Sequence, residues 1–438
     1  MWLIMDKINI QAAIEKRVKK KLAPLFKRYK SDFDSLEAII RWKPIVFIIG
    51  NYSSGKSTFI NEILGSKIQH TGQSPTDDSF TIITSDKTGV GNIPGSTVVR
   101  DENLPFTKFK GFGKDFISHF SLKKVDVSLL EDVTIIDSPG MLDAVTEKDR
   151  GYNYLQVVDE FAKLADLVVF MFDSHKTATI KETYTVIHDV LSKSLKEDRI
   201  IFVMSRIDEC DSLSDLVRSY GTLCWHLSQM KGRKDIPHIF LTYSPELNRQ
   251  KLNVEEWHGE REELKKKVLS APLFRINHIL ESIDRQVDEL KMIADIMTKV
   301  ADQSRSFFGK TIFSGFCAAA IVFALLYLGI IQFYELPQRY ILIISSFGAV
   351  GIFFIAKVKF TRFLRQWKNI HIPSAIISLD TDYRRQIWEK VEERVQNELR
   401  SLRLWDILFS LHRRNLNSIN QFIDKDLNEF YKQIQAVK

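Results

Sequence analysis

Cysteine is scarce. The chain of 438 residues holds three, Cys210, Cys224 and Cys317, an odd number without metal-ligand spacing. A disulfide framework and a thiolate metal site are therefore not expected, and a reducing compartment is. A secretory signal core is also lacking: Met1–Met5 is apolar, but Asp6 and Lys7 end it. The sequence has no internal repeat and no low-complexity linker, and residues 359–438 hold no aspartate-rich calcium loop. Neither sign of charge dominates: 62 Lys and Arg stand against 55 Asp and Glu, a net +7 spread along the chain. That small excess suits an anionic membrane surface or a plain solvated surface, and no nucleic-acid partner is expected.

Five segments differ in pattern. Residues 1–42 are rich in Lys, Glu and Leu at helical spacing. Residues 43–270 alternate helical patterns with short apolar runs at Ile45–Ile49, Val133–Ile136, Leu167–Phe172, Ile200–Met204 and His238–Leu241. Continuous apolar strands between helices indicate an α/β domain with a mostly parallel sheet covered on both faces. Residues 271–310 return to helix, 311–358 are strongly apolar, and 359–438 are helical again, with Ile387, Val391, Val395, Leu399 and Leu402 as one stripe.

Gly50-Asn51-Tyr52-Ser53-Ser54-Gly55-Lys56-Ser57 matches G-x-x-x-x-G-K-[ST], follows a strand and opens a helix at Thr58. Glycines there let backbone amides curl around phosphate oxygens, and the helix start adds positive potential. Lys56 is expected on the β- and γ-phosphates and Ser57 on Mg²⁺. Asp137-Ser138-Pro139-Gly140 ends a later strand. Asp137 suits a Mg²⁺-bound water there, and the Gly140 amide suits the γ-phosphate. The polar run Thr71–Asp78 has the composition of a switch loop, with Thr76 as its candidate for Mg²⁺ and γ-phosphate. The catalytic candidates are thus Lys56, Ser57, Thr76, Asp137 and Gly140, of which Ser57, Thr76 and Asp137 serve the metal. Ser205-Arg206-Ile207-Asp208 stands where GTPases carry Asn/Thr-Lys-x-Asp, so Arg206 and Asp208 are candidates for the base. The altered motif leaves ATP and GTP both open. His175 is assigned to holding a loop rather than to catalysis.

Thr311–Phe333 and Tyr340–Ala356 carry no charge. As helices they would extend about 34 Å and about 26 Å against a hydrocarbon core of ~30 Å. The expectation is a hairpin with arms at about 311–333 and 340–357. Lys310 flanks one end and Lys357, Lys359, Arg362, Arg365 and Lys368 the other. Basic flanks on both sides predict an integral membrane protein whose termini and nucleotide domain are cytoplasmic. A shallow wedge in one leaflet is the alternative. A transport pore is not expected, because neither arm has an ionisable residue inside it.

Several stretches resemble the EHD/sarcalumenin-like ATPases of the dynamin superfamily. They are Lys20-Lys21-Leu22-Ala23-Pro24-Leu25 with Tyr29, the P-loop with Tyr52, and Gly72, Pro75-Thr76 and Asp78-Ser79-Phe80. Arg150-Gly151-Tyr152, Phe172-Asp173-Ser174-His175-Lys176, Arg218-Ser219-Tyr220-Gly221 with Trp225, and Phe308-Gly309-Lys310 extend the similarity over about residues 17–310. The resemblance implies ATP on a GTPase-like fold, a G domain that dimerises, and flanking helices joined in one stalk. It also implies higher oligomers that assemble on a lipid bilayer and remodel it. Departures are Asp77, where the family has a second threonine, and the altered Ser205-Arg206 pair. The expected function is a membrane-anchored dynamin-like triphosphatase using Mg²⁺, with ATP favoured and GTP open. A nucleotide-gated scaffold with little or no hydrolysis is the alternative, and no protein partner is indicated.

Overall fold

The computed structural model describes residues 2–69, 79–86, 89–141, 150–175, 183, 185–191, 197–231, 236–246, 252–333, 346–348, 350–351, 354–355, 357–359, 361–362, 379–402, 406–407 and 409–437. The described residues form two compact units. The first comprises 1–15 and 34–281, the second 16–33 and 282–436.

The first unit is built on an eight-stranded sheet. Its strands are β1 (Ile45–Gly50), β2 (Phe80–Ser85), β3 (Gly91–Pro94), β4 (Phe120–Val125), β5 (Thr134–Asp137), β6 (Leu167–Asp173), β7 (Ile200–Ser205) and β8 (Ile239–Leu241). They lie in the order β3-β4-β2-β5-β1-β6-β7-β8. The pairs β5/β1, β1/β6, β6/β7, β7/β8 and β2/β4 are parallel, and β2/β5 and β3/β4 antiparallel. The five apolar runs picked out above are β1 and β5 to β8. Their lack of alternation follows from two covered faces. Ile45, Phe47 and Ile49 enter one core with Val157, Phe161 and Leu227, while Val46 and Ile48 enter the other with Phe59, Ile60 and Leu264. β4 escaped the apolar pattern because Phe120 and Leu122 alternate with Ser121 and Lys123.

The end of β1 and the end of β5 are neighbours, since Ile48 registers with Asp137. The crevice beyond the carboxyl ends of parallel strands is where α/β folds bind ligands. The sheet order therefore brings together residues 87 positions apart, from Gly50 to Asp137.

The second unit is helical. Ile283, Val287, Leu290, Ile293 and Met297 are buried on the helix Pro272–Phe333, as are Val391, Val395 and Leu399 on Asp382–Ser401. Buried Val18, Leu22, Phe26 and Tyr29 come from the amino-terminal segment. Polar contacts tie the same segments: Arg28 donates to Glu398 at 3.2 Å, Lys21 pairs with Asp426 at 2.5 Å, and the Tyr29 hydroxyl meets His412 Nδ1 at 3.2 Å.

The expected integral membrane anchor is corrected here. Among the described residues, no helix is long and apolar enough to cross a membrane. The first apolar arm is instead the last part of the 62-residue helix Pro272–Phe333. Residues 334–339 and most of 340–357 lie outside the described residues. With the anchor goes the inference, drawn from basic flanks, that both termini and the sheet unit face the cytoplasm. The described apolar side chains Phe313, Phe316, Ile321, Phe347, Val350 and Phe354 are exposed.

Candidate functional site

β1 ends at Gly50, where an added Cβ would lie 2.3 Å from the Met171 carbonyl oxygen of β6, so only glycine fits. Ser53 and Gly55 then take positive φ, 62° and 79°, and the chain turns into the helix Lys56–Leu64. Lys56 is buried, and its Nζ donates to the Gly50 and Asn51 carbonyls, both at 3.1 Å. Burial pushes its ammonium down to about 8, with Asp137 opposing that shift and Arg150 adding to it. A desolvated ammonium beside a helix start is well placed to take a phosphate oxygen in exchange for two carbonyls.

Ser57 Oγ donates to Asp137 Oδ2 at 3.0 Å. One hydroxyl and one carboxylate fit Mg²⁺, a hard cation that takes few protein ligands and completes its shell with water and substrate phosphate. Among the described residues, no group of three or more His, Cys, Asp or Glu could hold a metal instead. Thr76 lies outside the described residues. Gly140 packs against the P-loop so closely that a Cβ there would stand 2.6 Å from Tyr52 Cα. The two loops are also laced through their backbones: Tyr52 N donates to Met141 O at 3.2 Å and Met141 N to Gly50 O at 3.1 Å. Thr58 lies in the first turn of the P-loop helix.

The base-side candidates lie at the end of β7 and touch the P-loop through Arg206. Arg206, at φ 60°, is clamped: Nη1 donates to Asp173 Oδ2 at 2.9 Å and Nη2 to Glu209 Oε2 at 2.5 Å. Its Nη1 also reaches the Ser53 carbonyl at 3.3 Å. Asp208 is buried beside it, in the turn after β7. His175 donates its backbone N–H to Asp173 Oδ1 at 3.0 Å, which is a loop-holding contact.

Spacing missed five residues. Gln69 Nε2 donates to Asp137 Oδ2 at 2.8 Å, and Lys123 Nζ to Gln69 Oε1 at 2.7 Å. Arg150, known above only through the resemblance, donates to the Gly140 carbonyl at 2.7 Å. Thr183 Oγ1 donates to Asn51 Oδ1 at 2.9 Å. Ser205 Oγ lies at 2.7 Å from the Ser54 carbonyl and 3.0 Å from that of Phe172, joining β7 and β6 to the P-loop. Only Ser205 carried a signal, as the residue replacing Asn or Thr in the base motif.

Residues 46–207 match the model of the Dynamin family. EH domain-containing protein 3 of Rattus norvegicus and of Homo sapiens are each 29% identical over 325 residues, covering 69% of this chain and 57% of the relative. EH domain-containing protein 1 of Homo sapiens is 29% identical over 313 residues, covering 66% and 55%. The chain thus spans a little over half the length of these relatives. Among solved structures, a chain of an oligomerised bacterial dynamin pair is 13% identical, with TM-score 0.42 over 99% of this chain and 98% of that one. Over residues 46–207 the sheet unit is similar to the Dynamin family, and the similarity leaves the choice of ATP or GTP undetermined.

Proposed function

We propose that the chain is a Mg²⁺-dependent nucleoside triphosphatase of the dynamin-like, EHD-like kind that works on a membrane surface and assembles there. The observation that carries the proposal is the convergence of Lys56, Ser57 and Asp137 at the adjoining ends of β1 and β5. In this reading Lys56 leaves its two carbonyls for the β- and γ-phosphates. Backbone amides of Asn51–Thr58 hold the remaining phosphate oxygens, Ser57 and Asp137 hold the cation, and Thr76 closes on it. Bound Mg²⁺ supplies charge neutralisation at the β- and γ-oxygens. The Gly140 amide, braced through its carbonyl by Arg150, meets the γ-phosphate, and its contact ends with hydrolysis. Asp208 and Arg206 lie on the base side. The resemblance favours ATP, while the retained Asp208 suits guanine equally.

For the wider architecture, we take residues 43–270 as the G domain, and 1–42, 271–310 and 359–438 as stalk-forming segments. Support comes from the helical unit, which takes residues 16–33 from one flank and 282–436 from the other, while 1–15, 34–42 and 271–281 group with the sheet unit. Membrane contact is supported by the exposed Phe313, Phe316 and Ile321 and by the resemblance. It is peripheral in this reading, a shallow contact rather than a span. G-domain dimers and higher oligomers are carried from the resemblance.

Lys56→Ala is expected to abolish nucleotide binding by calorimetry. Unchanged binding of both ATP and GTP by that variant refutes the site. Asp77 beside Thr76 favours a second reading, a nucleotide-gated scaffold with negligible turnover. Phosphate release with and without liposomes separates the two, because only the triphosphatase releases phosphate above background on membranes.

A further inference from the structure

Asp137 is held by more than the P-loop helix. Its Oδ2 accepts from Ser57 Oγ at 3.0 Å and from Gln69 Nε2 at 2.8 Å. Gln69 is itself fixed. Asn61 Oδ1 accepts the backbone N–H groups of Ile68 at 2.9 Å and Gln69 at 2.8 Å, and Asn61 Nδ2 donates to the Gln69 carbonyl at 2.8 Å. Ser57 and Asn61 are four apart on one helix, hence on one face. One face of the P-loop helix therefore presents a hydroxyl to Asp137 and pins the residue whose amide also reaches Asp137.

Behind Gln69 stands a charge. Lys123 Nζ, on β4, donates to Gln69 Oε1 at 2.7 Å. The side-chain amide thus lies between an ammonium and a carboxylate, oxygen towards the cation and nitrogen towards the anion. Rotating it by half a turn would set oxygen against carboxylate and NH₂ against ammonium, so its partners fix its orientation. Each bond polarises the next, since the ammonium draws on the amide oxygen and makes its N–H a stronger donor. Gln69 is 4% exposed, so water does not screen this chain of contacts.

We infer that Gln69, backed by Lys123, is the positioning residue of the Mg²⁺ site, holding Asp137 oriented when Ser57 turns its lone pair to the cation. The inference rests on the triphosphatase reading above and names a second layer for its metal site. Partners of this kind, one bond removed from the metal, set affinity by fixing the ligand that touches it.

The test is titration of the full chain with fluorescent ATP and GTP analogues, first in EDTA and then with rising Mg²⁺. Gln69→Leu should raise the half-saturating Mg²⁺ concentration about tenfold, the lower end of the ~10–100-fold effect of outer-layer changes, and leave EDTA-condition affinity within about twofold. Lys123→Met should shift it the same way by less, and Lys123→Arg should restore the wild-type value. A purely structural glutamine would shift both conditions alike. The inference is overturned by unchanged Mg²⁺ dependence in Gln69→Leu and Lys123→Met while nucleotide still binds. Should Gln69→Leu fail to fold, Lys123→Met, on the half-buried far end, decides alone. A wild-type chain that binds neither analogue at any Mg²⁺ concentration refutes the triphosphatase reading itself, a separate outcome.

Discussion

The depressed Lys56 ammonium makes nucleotide affinity depend on pH in a calculable way. Burial holds it at about 8 in the nucleotide-free protein. Phosphate binding needs the charged form, and a triphosphate around the ammonium pushes its pKa well above this range. Affinity must then fall as pH rises through about 8, because more free protein has lost the proton that the complex requires. With a pKa of about 8, about three-quarters of the free chains carry the charge at pH 7.5 and about 3% at pH 9.5, a ratio on the order of 20. Kd should rise by that factor, about 2 kcal/mol, over the two units. The phosphate's own last ionisation, near ~6, is complete before this window opens. Isothermal titration calorimetry in buffers of different ionisation enthalpy reads the same linkage as proton uptake, about a quarter of a proton at pH 7.5 and nearly a whole one at 9.5. A flat Kd from pH 7.5 to 9.5, with enthalpies independent of buffer, refutes the reasoning.

Other predictions follow from buried contacts. Asp166 accepts from Ile45 N at 2.7 Å, Arg275 Nη1 at 3.1 Å and His278 Nδ1 at 2.8 Å, all within the sheet unit. Asp166→Ala strands the buried Arg275 guanidinium and leaves the buried His278 imidazole without its partner; it should cost about 3–5 kcal/mol in urea unfolding, and a loss under ~1 kcal/mol would show the cluster to be dispensable. His412 is pushed down to about 4 by burial and the nearby Arg28 charge, with Asp406 opposing. The unfolded chain protonates near 6.5 and the folded one near 4, so this contribution is complete above 6.5 and lost as pH falls towards 4, about 3 kcal/mol in all. His412→Gln should flatten that part of the stability–pH curve, and an unaltered curve would contradict the assignment. Ser205→Ala removes the bonds to the Ser54 and Phe172 carbonyls. It should weaken nucleotide binding about fivefold, roughly 1 kcal/mol, and equal affinity would show that β7 does not shape the P-loop.

The candidate phosphate loop was legible because its chemistry is local. A loop that wraps phosphate with backbone amides needs consecutive residues, so Gly50 to Ser57 carry the signal in order. Asp137 was legible at one remove, as a strand end at a suitable distance in sequence. The parallel sheet was legible where both faces are covered, in β1 and β5 to β8, and less so in β4, where Lys123 interrupts the apolar run. Hydropathy misled at 311–358, where a charge-free count pointed to a membrane anchor. Among the described residues no helix meets the span requirement, and the first arm proves to be the continuation of a long helix.

Taken alone, then, the sequence determined a P-loop, its lysine and serine, the acidic strand end and the alternation of strands and helices, because each is set by neighbours along the chain. The strand order decided the rest. Placing β5 beside β1 brought Asp137 onto Ser57, and Gln69 and Lys123 complete that contact from outside either motif. Such contacts depend on which segments become neighbours after the chain has crossed the sheet, and residue spacing carries no record of that.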